Sequence, residues 1–134
     1  RAIKFKGLHI VVKIPQGFDF PVDINVDYGD IDFETEYNSL LNVQMGTGDF
    51  EAISLGGKFD ISTNIGDISI KNAKPNENSS LKTDTGDIEV DNVLNTKIIS
   101  EADTGDEDVN GSDDSSGVTL TVTTDTGDIE VNDN

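Results

Sequence analysis

The chain has 134 residues, with 27 Asp and Glu against 9 Lys and Arg, one histidine, no cysteine and a formal charge of -18. That length points to one domain, and so acidic a surface argues against nucleic acid and against bare anionic lipid. The absence of thiols excludes disulfides, zinc–thiolate sites and Cys nucleophiles. No apolar run reaches the roughly 20 residues of a membrane span, so no membrane insertion is expected within this chain. The opening Arg1-Ala2-Ile3, where a methionine would begin a full protein, suggests a fragment of a longer chain.

In chain order, Ile10 to Pro15 comes first and reads as a strand. Arg1, Lys4, Lys6 and Lys13 give this region four positive charges and no negative one before residue 14. Residues 1–23 are expected to be N-terminal cap strands, and residues 24–134 repeat coils, all within one domain. Gly-Asp then recurs at Gly29, Gly48, Gly66, Gly86, Gly105 and Gly127, with spacings of 19, 18, 20, 19 and 22 residues. Such a period marks a repeat architecture.

Each copy alternates with period two on both sides of the glycine, the pattern of half-buried strands. Downstream, Ile31/Phe33, Phe50/Ala52, Ile68/Ile70, Ile88/Val90 and Ile129/Val131 share an inward face. Asp32, Glu51, Ser69, Glu89 and Glu130 lie between them and face outward. Upstream, the inward sets are Ile24/Val26/Tyr28, Leu41/Val43/Met45, Phe59/Ile61/Thr63/Ile65 and Val118/Leu120/Val122/Thr124. Turn-forming stretches at Asn38-Ser39, Gly56-Gly57, Asn72 to Ser80, Asn92 and Asn110 to Gly117 separate the copies.

One copy cannot bury its own apolar face, so the copies are expected to stack about 4.8 Å apart. The fold class is all-β: a two-sided β-solenoid, resembling a single-stranded β-helix, of about six Gly-Asp repeats with an N-terminal strand cap. A β-sandwich is the alternative, but it leaves the near-constant spacing without a cause. All eight aromatics fall by residue 59, while Ser100, Ala102 and Thr104 make one late inward stretch thin. Residues 98–134 hold 11 acids and no base, and the final repeat stops without a cap. An exposed edge strand is therefore expected at the end of the chain, together with easier opening of residues 98–134 than of residues 8–70.

Ile10 to Pro15, then Phe20-Pro21-Val22-Asp23-Ile24, then serial units such as Thr83-Asp84-Thr85-Gly86-Asp87-Ile88-Glu89-Val90 resemble a bacterial adhesin-like domain of Gly-Asp-Ile β-strand repeats, also called toastrack. The resemblance covers roughly residues 8–134. It implies a β-solenoid and a place in the bacterial cell envelope or its stress systems, and it offers no established catalytic residues to carry over. Two positions depart from the pattern: Glu107 stands where Ile is expected, and Gly46 stands where an outward side chain is expected.

The Asp-Thr-Gly tripeptides at Asp84, Asp103 and Asp125 look like aspartic-protease loops. Three solvent-facing copies at solenoid spacing do not converge on a dyad about 3 Å across, so they read as bends. Stacked carboxylates at Asp84, Asp87, Asp103, Asp106, Asp125 and Asp128 are the weak metal candidates. Neighbours about 5 Å apart repel by about 0.8 kcal/mol even in water, and Ca²⁺ would relieve this. Against calcium, the chain lacks both the nine-residue Gly-Asp corner repeat and the EF-hand order; the competing reading has each Asp bonding N–H groups at its own bend.

Thr83/Thr85 and Thr124/Thr126 read as inward, which argues against an ice-binding ladder. His9 reads as a strand residue. Gly46-Thr47-Gly48 lacks the Lys and helix of a phosphate loop. The resulting expectation is a non-enzymatic structural or interaction domain of an envelope-associated protein, requiring no cofactor and binding a basic protein or peptide through acidic faces. A calcium-dependent binding module or a carbohydrate-active β-helix protein is the alternative.

Overall fold

In a computed structural model, residues 2–5, 10–12 and 20–132 are described. His9, Arg1, Lys6, Lys13 and part of the expected cap lie outside them. Each repeat gives the strand before its glycine to a long sheet and the strand after it to a short sheet. The first coil comprises β1 (Ala2–Phe5) and β2 (Ile10–Val12). Next come β3 (Val22–Tyr28) with β4 (Ile31–Phe33), and β5 (Leu40–Thr47) with β6 (Phe50–Ala52). Then follow β7 (Leu55–Ile65) with β8 (Ile68–Ile70), the short β9 (Ala73–Pro75), and β10 (Ser79–Thr85) with β11 (Ile88–Val90). The last two coils are β12 (Lys97–Thr104) with β13 (Glu107–Val109), and β14 (Thr119–Thr126) with β15 (Ile129–Val131). Every pairing of named strands is parallel and in register. The described residues thus form an all-β solenoid of six Gly-Asp coils plus the first coil, and not a sandwich.

A third, short ladder was not expected. β9 pairs with the first residues of β7, and bridges join Tyr37 to Leu55 and Ala73 to Val93. Gly56-Gly57, read as a turn, lies inside β7, where Gly57 at φ 64 swings the strand from this ladder into the long sheet. Tyr37 is buried beneath this corner, its hydroxyl donating to the Leu40 carbonyl at 2.9 Å and to that of Phe20.

The core is a set of columns running along the stack. Ile24, Val43, Ile61, Leu81 and Val122 form one in the long sheet. Ile31, Phe50, Ile68, Ile88 and Ile129 form one in the short sheet. Phe33 packs against Tyr37 and Phe50 with ring centroids 5.9 and 5.7 Å apart, next to the small Ala52. Large beside small keeps the narrow interior filled.

The final coil of the chain is not the final coil of the stack. The long sheet runs β1-β3-β5-β7-β10-β14-β12, and the short sheet ends β11-β15-β13. β14 and β15 are therefore paired on both sides, and the edge strands at this end of the stack are β12 and β13. This corrects the open edge expected at the last repeat. The cause is apolar content: Leu120, Val122, Ile129 and Val131 gain from cover on both sides, whereas the matching positions of β12 and β13 hold Ile98, Ser100, Glu107 and Val109. The segment 110–118 carries the chain back. It is pinned where Lys97 N–H meets the Val118 carbonyl (2.9 Å), Asp113 N–H meets that of Thr96 (2.9 Å) and the Ser116 hydroxyl meets that of Asn95 (2.6 Å).

The residue just before each glycine also departs from the alternation. Tyr28, Ile65, Thr85 and Thr126 are exposed rather than inward, because the strand has already begun to turn there. Tyr28 and Ile65 are 58% and 56% exposed, so neither belongs to the core.

Candidate functional site

The repeat motif is first a structural device. Each glycine has φ between 139° and 150°, a region that L side chains rarely adopt. A Cβ on Gly86 would lie 1.9 Å from the carbonyl oxygen of Gly66, and one on Gly127 would lie 1.8 Å from that of Gly86. The glycines are stacked backbone on backbone. Three residues earlier, the buried Thr83 and Thr124 hydroxyls donate to the carbonyls of Gly66 and Gly86 at 2.9 and 3.0 Å. One residue later, each Asp carboxylate except that of Asp106, on the outermost coil, accepts the N–H of the Asp one coil on. The chain Asp30–Asp49–Asp67–Asp87–Asp128–Asp106 is linked this way at 2.8–2.9 Å. The bond expected within each bend is therefore made between bends.

All six candidate metal residues fall on three adjacent rungs. Their order is set by the stack: Asp125 lies between Asp84 and Asp103, and Asp128 between Asp87 and Asp106. One oxygen each of Asp87 and Asp128 is already held by a backbone N–H. Among the described residues no group of three or more His, Asp or Glu side chains is arranged to hold a metal ion.

A second acidic ladder lies beside the first. The outward side chains of the short sheet are, in stack order, Asp32, Glu51, Ser69, Glu89, Glu130 and Asp108. Strand pleating places them on one surface, two residues beyond each repeat Asp. Between the two ladders runs an open groove of about 460 Å³, lined by Asp49, Glu51, Asp67, Asp87, Glu89 and Glu130 among others and, among the described residues, by no basic one.

The crowding changes the titration of two glutamates. The Asp32 carboxyl within hydrogen-bond reach of Glu51, with partial desolvation and the Asp32 and Asp49 charges, raises the Glu51 pKa, and Lys71 opposes this. Desolvation, with Asp91 and Glu130, raises Glu89. Glu36, by contrast, is lowered by Asn38 and Lys74, the latter 3.4 Å away.

The outer face of the long sheet is different in kind. Asn42, Ser62, Lys82 and Thr121 are spread over it, Lys58 pairs with Asp60 at 2.5 Å, and Ser80 donates to Asp60 at 2.7 Å. The solenoid therefore has one predominantly acidic face, with Lys71 beside Asp32 and Glu51, and one mixed face. The sequence places the outward short-sheet acids correctly. It does not single them out, because the repeated Asp beside each glycine is the louder signal.

No helix among the described residues is long and apolar enough to cross a membrane. The family model described as Toastrack DUF4097 matches residues 3–133. Neither a curated protein nor a solved structure matches the chain.

Proposed function

The chain belongs to the Toastrack family, a domain family of unknown function, and we propose that it is a non-enzymatic interaction domain of a bacterial envelope-associated protein. In this reading a basic protein or peptide docks on the acidic face of the short sheet. One observation supports the choice of face above the others. The groove gathers the charges of two parallel carboxylate ladders with no basic one among the described residues of its lining, and the raised pKa values of Glu51 and Glu89 are a cost that a cationic partner would relieve. The Gly-Asp ladder bounds the groove and holds its geometry, while the outward Glu residues supply charge that the backbone does not use. Charge of this kind acts mainly on encounter rate and partner choice.

Titration with a lysine-rich peptide and a neutral peptide of equal length, at low and high salt, tests the reading. Binding of the cationic peptide alone is expected, weakening with salt, and weakened at least about fivefold by Glu89→Gln with Glu130→Gln. Equal binding of both peptides, or binding untouched by these substitutions, would remove the short-sheet face from consideration.

A further inference from the structure

We propose that Glu107 and Ser112 close the β12 edge of the long sheet, and that without them β12 pairs with β12 of a second copy of this chain about a two-fold axis. This is independent of the acidic groove and of its partner.

β12 is hydrogen-bonded to β14 on one side only. In a parallel ladder, alternate residues direct their N–H and C=O groups to opposite edges. Lys97 N–H points inward, to the Val118 carbonyl. Ile98, Ser100 and Ala102 therefore present their backbone groups to the outer edge. The return segment and Glu107 cover them: Ile98 N–H donates to Ser112 Oγ at 2.9 Å, beside the Asp113 N–H that holds the Thr96 carbonyl at 2.9 Å, and Ala102 N–H donates to Glu107 Oε2 at 3.2 Å. Ser100 Oγ donates to Glu107 Oε1 at 2.6 Å and fixes the carboxylate in place.

Glu107 stands in the column of Ile31, Phe50, Ile68, Ile88 and Ile129. The acid occurs on the coil beyond which no strand among the described residues is stacked. The bonds from Ser100 and Ala102 also lower the pKa of its carboxyl. A charged group that blocks an edge strand is a known defence against edge-to-edge association.

The occupant follows from the strand's own sequence. Antiparallel pairing of two copies, centred on Ser100, sets Ile98 opposite Ala102 and Lys97 opposite Asp103 of the other copy. The first is an apolar pair and the second an opposite-charge pair, and both favour a sheet. The centre also leaves the residues that face the edge as mutually hydrogen-bonded pairs. An isologous contact of this type closes as a dimer and does not propagate.

Sedimentation equilibrium of the 134-residue chain at neutral pH tests the proposal. The native chain is expected to run as a monomer. Glu107→Ile with Ser112→Ala is expected to dimerise at least about tenfold more tightly, or 1.4 kcal/mol. Glu107→Gln retains an acceptor oxygen and is expected to remain monomeric. Adding Lys97→Glu to the uncapped variant puts like charges opposite each other and should return it toward monomer. Should Glu107→Ile not fold by circular dichroism, Glu107→Ala with Ser112→Ala makes the same test. The proposal is overturned by a folded uncapped variant that stays monomeric, by native chain dimerising as tightly as the variant, or by a dimer insensitive to Lys97→Glu.

Discussion

The coils at 97–109 and 119–131 are neighbours in sequence and in space, yet they exchange places between the two orders. The later coil sits inside, between β11 and β13 in the short sheet, and Leu120 is fully buried. The earlier coil sits outside, where Ile98 keeps 9% exposure, Ser100 is half-buried and Glu107 is exposed. A coil's rank in the stack, rather than its rank in the chain, sets which residues it can carry. An inner coil needs apolar groups because both of its faces are covered. An outer coil can carry a carboxylate, which finds bonds on its own open edge.

The sharpest way to break this comparison is at the glycine of the inner coil. Gly127→Ala would push a Cβ to within 1.8 Å of the Gly86 carbonyl at φ 146. A loss of at least about 3 kcal/mol is expected in chemical denaturation. Gly117→Ala on the return segment, with nothing within 4 Å of the added Cβ, should stay within about 0.5 kcal/mol. Equal effects would mean that the inner coil is not stacked on its neighbours.

The next effect compares two residues in register. Leu120 and Ile98 pair across β14 and β12. Leu120→Ala removes a side chain covered on both sides and should cost about 3 kcal/mol, whereas Ile98→Ala at the outer rung should cost about half as much. A larger loss at Ile98 would reverse the assigned order.

The smallest effect concerns charge. Glu51 and Glu89 have pKa values raised by folding, so the stability they contribute is complete below the ordinary carboxyl range and is lost as pH rises through their raised values. Glu36 and Glu107 are lowered, so theirs is complete above that range and is lost as pH falls through their lowered values. Glu89→Gln should therefore raise the melting temperature at pH 7 and flatten the gain seen on acidification toward pH 5. The gain should be no more than about 0.5 kcal/mol, because solvent screens the groove. An unchanged pH slope would show that the acidic face carries no mutual repulsion.

Much of the fold is legible in the sequence. The six Gly-Asp pairs mark the corners, and the alternating residues mark the core face. The third ladder is harder to read: Tyr37, Leu55, Ala73 and Val93 recur at the repeat spacing of 18, 18 and 20 residues, but each is a single inward residue among turn formers, with no alternation around it to mark a strand. The exchanged coils have a signal that is clear once the stack is known. Residues 83–90 and 124–131 are nearly the same because they are adjacent rungs with the same surroundings. The copy between them in sequence is degenerate because it is the end. The longest spacing, 22 residues, contains the return segment. Tyr28 and Ile65 mislead because strict alternation cannot register the point where a strand leaves its sheet. For the site, the Asp residues beside the glycines attract attention as ligands, although the structure uses them between coils.

The expectation that everything beyond residue 97 opens first must accordingly be divided. Native-state hydrogen exchange tests the central claim most directly, because it reads protection coil by coil. The amides of 119–126 should exchange more slowly than those of 97–104, despite lying nearer the end of the chain. Faster exchange in 119–126 would contradict the inserted coil and restore a stack built in the order of the sequence.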